Sequence, residues 1–247
     1  MGKKHFVGKA GNMHYFERRT RDTGWKRRAH GMAICTSCGE WTEPPVLDRD
    51  DGGLIVVCPH CQYREPFTQY PLWWIAGSPG AGKTTLIPLL RRYLPGYIVF
   101  EGEAIDFWRF EGEPGDYSSL HNQWLKVAYE IALNGPPVVF IATAFPDQLD
   151  ACTMRSRFSS IAYLGLVCSE DAQRRRLLDR PAWRKSAAPE FIASSCGFTR
   201  RLEEVGRQDS SAVVLHDTTT STPDASARLI AAWVRDQSAH NSRTRGA

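Results

Sequence analysis

Two groups of residues in this chain have the types and the spacing to do chemistry. The first is Gly77-Ser78-Pro79-Gly80-Ala81-Gly82-Lys83-Thr84, a Gly-x4-Gly-Lys-Thr string that runs on into Thr85. Glycines let successive backbone N–H groups turn toward phosphate oxygens without Cβ clashes, and a helix starting behind them adds a favourable dipole. Lys83 has the reach to meet the β- and γ-phosphates of ATP, and the Thr84 hydroxyl can complete a magnesium shell. The second group is Cys35-x2-Cys38 and Cys58-x2-Cys61, with 19 residues between the pairs. Two residues between cysteines let both thiolates reach one tetrahedral Zn2+ ion, with Zn–S near 2.3 Å. Four thiolates fill such a site, so His60, inside the second pair, is read as exposed rather than as a ligand.

Each group needs elements to hold it. Before the glycine-rich string lies Leu72-Trp73-Trp74-Ile75-Ala76, an apolar run suited to a strand buried on both faces, and after it comes a helical stretch to Leu94. Further strands are expected over 97–100, 138–142, 161–168 and 212–215. A helix is expected over 119–133, with Trp124, Val127, Ala128 and Ile131 on one face. A closing helix is expected over 225–235, with Leu229, Ile230 and Trp233 inward. Short apolar strands alternating with helices imply a doubly wound parallel sheet, whose ligands bind beyond the carboxyl ends of the strands. Around the cysteines, Asp50-Asp51-Gly52-Gly53 signals a turn before the strand-like Leu54-Ile55-Val56-Val57 that leads into the second pair, as a zinc ribbon needs. A module of about 35 residues buries too little surface to fold without its metal. Trp41, Tyr63 and Phe67 either fill its small core or present stacking faces. Cys152, Cys168 and Cys196 are read as ordinary buried or half-buried thiols.

The expected organisation is therefore a basic arm over 1–34, a zinc ribbon over 35–70, an α/β domain over 71–237 and a flexible tail over 238–247. The arm has nine Lys or Arg against Glu17 and Asp22, within a chain of net charge +4. It suits either a phosphate backbone or a plain solvated tail. No apolar run is long enough to span a membrane. The N-terminus lacks a secretory apolar stretch, and Phe6 stands where a myristoylation site has Ser or Thr. Close cysteine pairs fit metal binding in a reducing cytoplasm better than disulfides.

From about residue 72 to 236 the chain resembles the P-loop kinases of small molecules, the group of nucleoside, nucleoside-monophosphate, gluconate and adenylylsulfate kinases. Besides the phosphate loop, three segments carry the resemblance. Glu101-Gly102-Glu103 stands where many of these kinases place an acidic-Gly-acidic element after the second strand. Phe140 to Pro146 stands where adenylate-kinase-like members end a strand in Asp-Gly-Phe-Pro. Arg174 to Arg184 is similar to their arginine-bearing lid. The resemblance implies a three-layer P-loop NTPase fold with a five-stranded parallel sheet. It also implies ATP on residues 77–85 and transfer of the γ-phosphate to a hydroxyl acceptor that is nucleoside- or nucleotide-like. Lys83, a lid pair of Arg180 and Arg184 (with Arg174 able to replace either), and Glu101 or Glu103 would hold charge and orient the acceptor. The pattern departs at Thr143, which occupies the acidic position, so magnesium must lean on Thr84, waters and Glu101 or Glu103. The ribbon is not a usual part of such kinases. Two other readings stay open: a kinase of nucleic acid gripped by the ribbon and arm, and a switch or assembly NTPase. Oligomeric state is not readable from the sequence.

Overall fold

The computed structural model describes residues 34–41, 46–50, 53–104, 116–210 and 212–244. The basic arm, apart from Ile34, lies outside the described residues. Three short strands come first: β1 (Val46–Asp50), β2 (Gly53–Val57) and β3 (Arg64–Pro66), antiparallel in the order β1-β2-β3. Asp50 lies opposite Gly53, which agrees with the turn signal there. β1 and β3 were not legible in the sequence, since their charged residues carry no apolar alternation.

The larger sheet follows. Its elements are β4 (Tyr70–Gly77), α1 (Lys83–Tyr93), β5 (Ile98–Glu101), α2 (Ser118–Ala132), β6 (Val138–Ala142), α3 (Pro146–Asp150), β7 (Phe158–Val167), α4 (Glu170–Leu178), α5 (Pro189–Gln208), β8 (Val213–Asp217) and α6 (Pro223–Thr244). The five strands β4 to β8 pair in the order β5-β6-β4-β7-β8, all parallel. The apolar run falls on the central strand because it alone must be covered on both faces. Alternation along β4 then divides the core. Leu72, Trp74 and Ala76 pack toward α2 and α5, while Trp73 and Ile75 pack toward α1 and α6. The result is a three-layer α/β fold with a five-stranded parallel sheet. Trp74 stacks on Phe140 with ring centroids 4.8 Å apart and meets Trp124 at 6.0 Å. Such pairs add about 0.5–1.5 kcal/mol each beyond the area they bury.

Two expectations at the end of the chain need correction. The buried stripe of α6 is Ala227, Ile230, Ala231 and Val234, the i, i+3, i+4, i+7 pattern, so Leu229 falls on the solvent side at 61% exposure. The same helix continues through Thr244, so residues 238–244 of the expected tail are helical. The Ser238 hydroxyl shares a 2.8 Å hydrogen bond with the Tyr97 hydroxyl and donates to the Val234 carbonyl, which holds this last stretch against the domain.

The three-stranded sheet with its cysteine pairs, the expected ribbon, shares a core with the α/β domain. Cys35, Val56, Cys58 and Phe67 belong to the same buried cluster as Trp74, Trp124 and Tyr129, so the core is continuous across residue 70. Arg157 is buried with its guanidinium 5.6 Å from the Phe67 ring and 5.2 Å from the Tyr129 ring. The Tyr129 hydroxyl donates to the Thr68 carbonyl, and the Gln69 amide to the Ser156 carbonyl. Phe67 is thus core. Trp41 and Tyr63 are exposed, and the Lys126 ammonium of α2 lies 5.1 Å over the Trp41 ring. Among the described residues, no helix is long and apolar enough to cross a membrane.

Candidate active site

The loop 77–82 leaves the carboxyl end of β4 and enters α1 through Gly82, at φ 102°. Gly80 also has positive φ, at 88°, and a Cβ there would come within 3.1 Å of Gln173 and 3.2 Å of Leu177. These two positions therefore need glycine, both for backbone conformation and, at Gly80, for close approach. The first turn of α1 has no acidic residue, so its positive end is left to the loop.

The carbonyls and the one serine of this loop are held from behind. The Ser78 hydroxyl is buried and bonded to the Thr199 hydroxyl (2.8 Å) and the Gln173 amide (2.5 Å). Gln173 also donates to the Pro79 carbonyl. Arg176 donates to the Gly80 carbonyl, the Thr218 hydroxyl and the Thr218 carbonyl, and Thr218 donates to the Ala81 carbonyl. With its Pro79, Gly80 and Ala81 carbonyls engaged by Gln173, Arg176 and Thr218, and the Ala81 amide bonded to the Ser78 carbonyl, the loop is held in one shape around the start of α1. Gln173, Arg176, Thr199 and Thr218 were not singled out from the sequence. The signal for two of them was there: on α4 the buried side is Ala172, Gln173 and Leu177, so Arg176 is the inward member of the arginine triplet. Arg174 instead pairs with Glu170 at 3.7 Å on the surface.

The catalytic candidates converge at the carboxyl edge of the sheet. Lys83 is buried, its ammonium donating to the Gly77 carbonyl (2.8 Å), the Ser78 carbonyl (3.4 Å) and the Thr143 hydroxyl (3.2 Å). It also pairs with Glu103 at 3.3 Å. Burial pushes the Lys83 pKa down, opposed by Glu103 and Glu101. The Thr84 hydroxyl donates to Glu101 at 3.2 Å. Both carboxylates of the acidic-Gly-acidic element thus meet the phosphate loop, one on each of its reactive side chains. Thr143, in the acidic position of the resemblance, donates to the Gly77 carbonyl and accepts from Lys83. Thr85 lies exposed on the first turn of α1. Arg180 is half-buried: burial pushes its guanidinium down, Arg184 repels it and Glu103 opposes both, which puts it in the field of the site. Arg184 is exposed, its guanidinium 5.3 Å over the ring of its neighbour Trp183.

Gly102 explains how the acidic pair is aimed. A Cβ there would lie 2.8 Å from Ala142 and from Phe140 and 3.1 Å from Trp124, whose indole N–H donates to the Gly102 carbonyl. Gly102→Ala is expected to lower the thermal midpoint and displace both carboxylates, at a cost of about 1–3 kcal/mol for an overpacked site. Calorimetry alongside ATP turnover checks it, and an unchanged midpoint would refute the packing argument.

The four ribbon cysteines also assemble. Cys35 and Cys61 sulfurs are 3.7 Å apart, as are Cys38 and Cys58, and all four lie within 4.8 Å of one another. Thiolates at about 2.3 Å from one tetrahedral ion sit about 3.8 Å from each other, so the set fits zinc. Burial pushes the Cys35 thiol up, but the Cys38 and Ser37 amides outweigh it and bring it down to about 7. The Glu40 amide favours a Cys38 thiolate, yet burial and the neighbouring sulfurs push that thiol up to about 12. A cation bound among the four sulfurs would favour their thiolate forms. His60 is exposed, and Cys152, Cys168 and Cys196 are buried and apart from the cluster.

Among solved structures, a sugar kinase from Janibacter sp. HTCC2649 superposes with a TM-score of 0.51 at 15% identity, over 68% of this chain and 95% of that one. The likeness is one of fold, a three-layer α/β arrangement around a parallel sheet. A tunicamycin resistance protein of Deinococcus radiodurans (TM-score 0.49, 20% identity, 67% and 96% covered) and a gluconokinase of Sinorhizobium meliloti 1021 (0.49, 18%, 72% and 99%) also match. No protein-family model and no curated protein matches the chain. The share matched to the first of these structures leaves about a third of this chain aside.

Proposed function

We propose that this chain is an ATP-dependent phosphotransferase that moves the γ-phosphate to a hydroxyl of a small-molecule acceptor. The observation that carries this reading is the joint placement of Lys83, Thr84, Glu101 and Glu103 at the carboxyl edge of the sheet. Phosphoryl transfer asks a protein for positioning and charge neutralisation, and these groups supply both. ATP would lie along residues 77–85, its phosphates on the loop amides and Lys83. The acceptor oxygen attacks the γ-phosphorus, forming a new O–P bond. The bond from that phosphorus to the bridging oxygen breaks, ADP leaves, and the acceptor proton passes to Glu103. Arg180 faces the charge on the transferring group, with Arg184 beside it on the lid. Thr84 and Glu101 are hard oxygen donors fit for magnesium, which when bound supplies further neutralisation of the phosphates.

The test is a screen for transfer of labelled γ-phosphate to sugars, polyols, nucleosides, nucleotides and oligonucleotides. The expected result is a phosphorylated small molecule. Arg180→Ala is expected to lower kcat between about tenfold and a thousandfold, with ATP affinity within about threefold of wild type. Phosphate appearing only on oligonucleotides, or only in water, would overturn the small-acceptor reading.

A further inference from the structure

Near the acidic pair sits a buried polar side chain with no structural partner. His121 is 3% exposed, yet its imidazole makes no hydrogen bond to any described residue. A neutral imidazole has one donor and one acceptor, and interiors rarely leave both unmet. Its nitrogens are not among the sealed, unpartnered polar atoms of the fold, so they keep a narrow opening to solvent. The ring is flanked by Tyr117 (centroids 6.2 Å apart) and Trp124 (5.5 Å).

Topology places this ring at the catalytic edge. β5 and β6 are parallel and α2 is the helix between them, so its first turn lies beyond the carboxyl ends of the strands, where ligands bind. Contact agrees with topology. Trp124, one turn after His121, donates to the Gly102 carbonyl between Glu101 and Glu103.

The charges around it are selective. Among the described residues, Asp116, Glu101 and Glu103 are carboxylates of this edge, and the first two turns of α2, residues 118–125, contain no Lys or Arg. Lys83 and Arg180 face the transferring phosphoryl group, Lys126 stacks on Trp41 of the ribbon, and Arg201 is paired with Asp147 at 2.9 Å. Burial pushes the His121 pKa down against the pull of Asp116, so the ring stays neutral. Among the described residues, a phosphate on the acceptor would meet carboxylates and a neutral ring here.

We propose that His121 binds the acceptor directly, and that it selects an uncharged polyhydroxylated acceptor (a sugar, polyol or nucleoside) over a phosphorylated one. This rests on the kinase reading above. The exposed Tyr117 ring beside it supplies a flat apolar wall for a sugar ring or a base, and the imidazole edge supplies the hydrogen bonds that such a wall lacks.

The test reads binding at His121 itself. Full-length protein with labelled histidine and a non-hydrolysable ATP analogue is titrated with D-glucose, glycerol and adenosine, then with glucose 6-phosphate, glycerol 3-phosphate and AMP. At least one uncharged probe should shift the His121 ring nitrogens and bind about tenfold or more tightly than its phosphorylated counterpart. In turnover, His121→Phe should raise the acceptor KM about tenfold or more while ATP KM stays within about twofold, and His121→Gln should restore part of the loss. A His121 signal unmoved by all three uncharged probes, or a phosphorylated probe bound as well as its parent, overturns the proposal. Absence of any Lys83-dependent ATP turnover would instead sink the kinase reading, and the titration still decides whether His121 holds a hydroxylated ligand.

Discussion

Lys83→Ala is expected to lower phosphoryl transfer by about a hundredfold or more, the usual loss when a group that stabilises transition-state charge is removed. The fold should survive. The ammonium is buried against the Gly77 and Ser78 carbonyls, Thr143 and Glu103, contacts that lie within the loop and its neighbours. Its contacts there offset a burial that itself disfavours the charge, as the downward push on its pKa shows. Removing both together changes stability little, because the Pro79, Gly80 and Ala81 carbonyls remain held by Gln173, Arg176 and Thr218. Steady-state kinetics and circular dichroism check both halves. A variant keeping more than about a tenth of wild-type kcat would mean that the loop is not catalytic.

Cys58→Ser is expected to release the metal and to unfold more than the ribbon. Protein purified without added zinc should contain about one zinc per chain by elemental analysis, and the variant close to none. Cys58 is fully buried and shares one core with Trp74, Trp124 and Tyr129, so metal loss reaches the α/β domain. Structural zinc contributes folding energy outright, and a chain of this size loses about 2–4 °C of midpoint per kcal/mol. A drop of about 6–20 °C follows if emptying the site costs about 3–5 kcal/mol. Wild-type protein that is metal-free yet melts like the zinc-loaded form would contradict the site.

The phosphate loop, the two cysteine pairs and the five parallel strands were legible before any coordinates. The reason is local. A glycine-rich turn between a strand and a helix, paired thiols two residues apart, and short apolar runs each state their geometry within a few neighbouring residues. What α2 and α4 bury was only partly legible, because the periodic pattern permits several rotations of a helix and the partner surface selects one. On α2 that choice turned Leu120, His121, Trp124 and Leu125 inward and left Val127 and Ile131 at the margin. On α4 it aimed Arg176 rather than Arg174 at the site. Pairwise meetings across the fold were beyond reach from sequence: Glu101 with Thr84, Glu103 with Lys83, Trp124 with Gly102, Phe67 and Tyr129 about Arg157. Each joins residues 17 or more positions apart, where no local spacing constrains the distance and only the packing of sheet, helices and ribbon brings the side chains together.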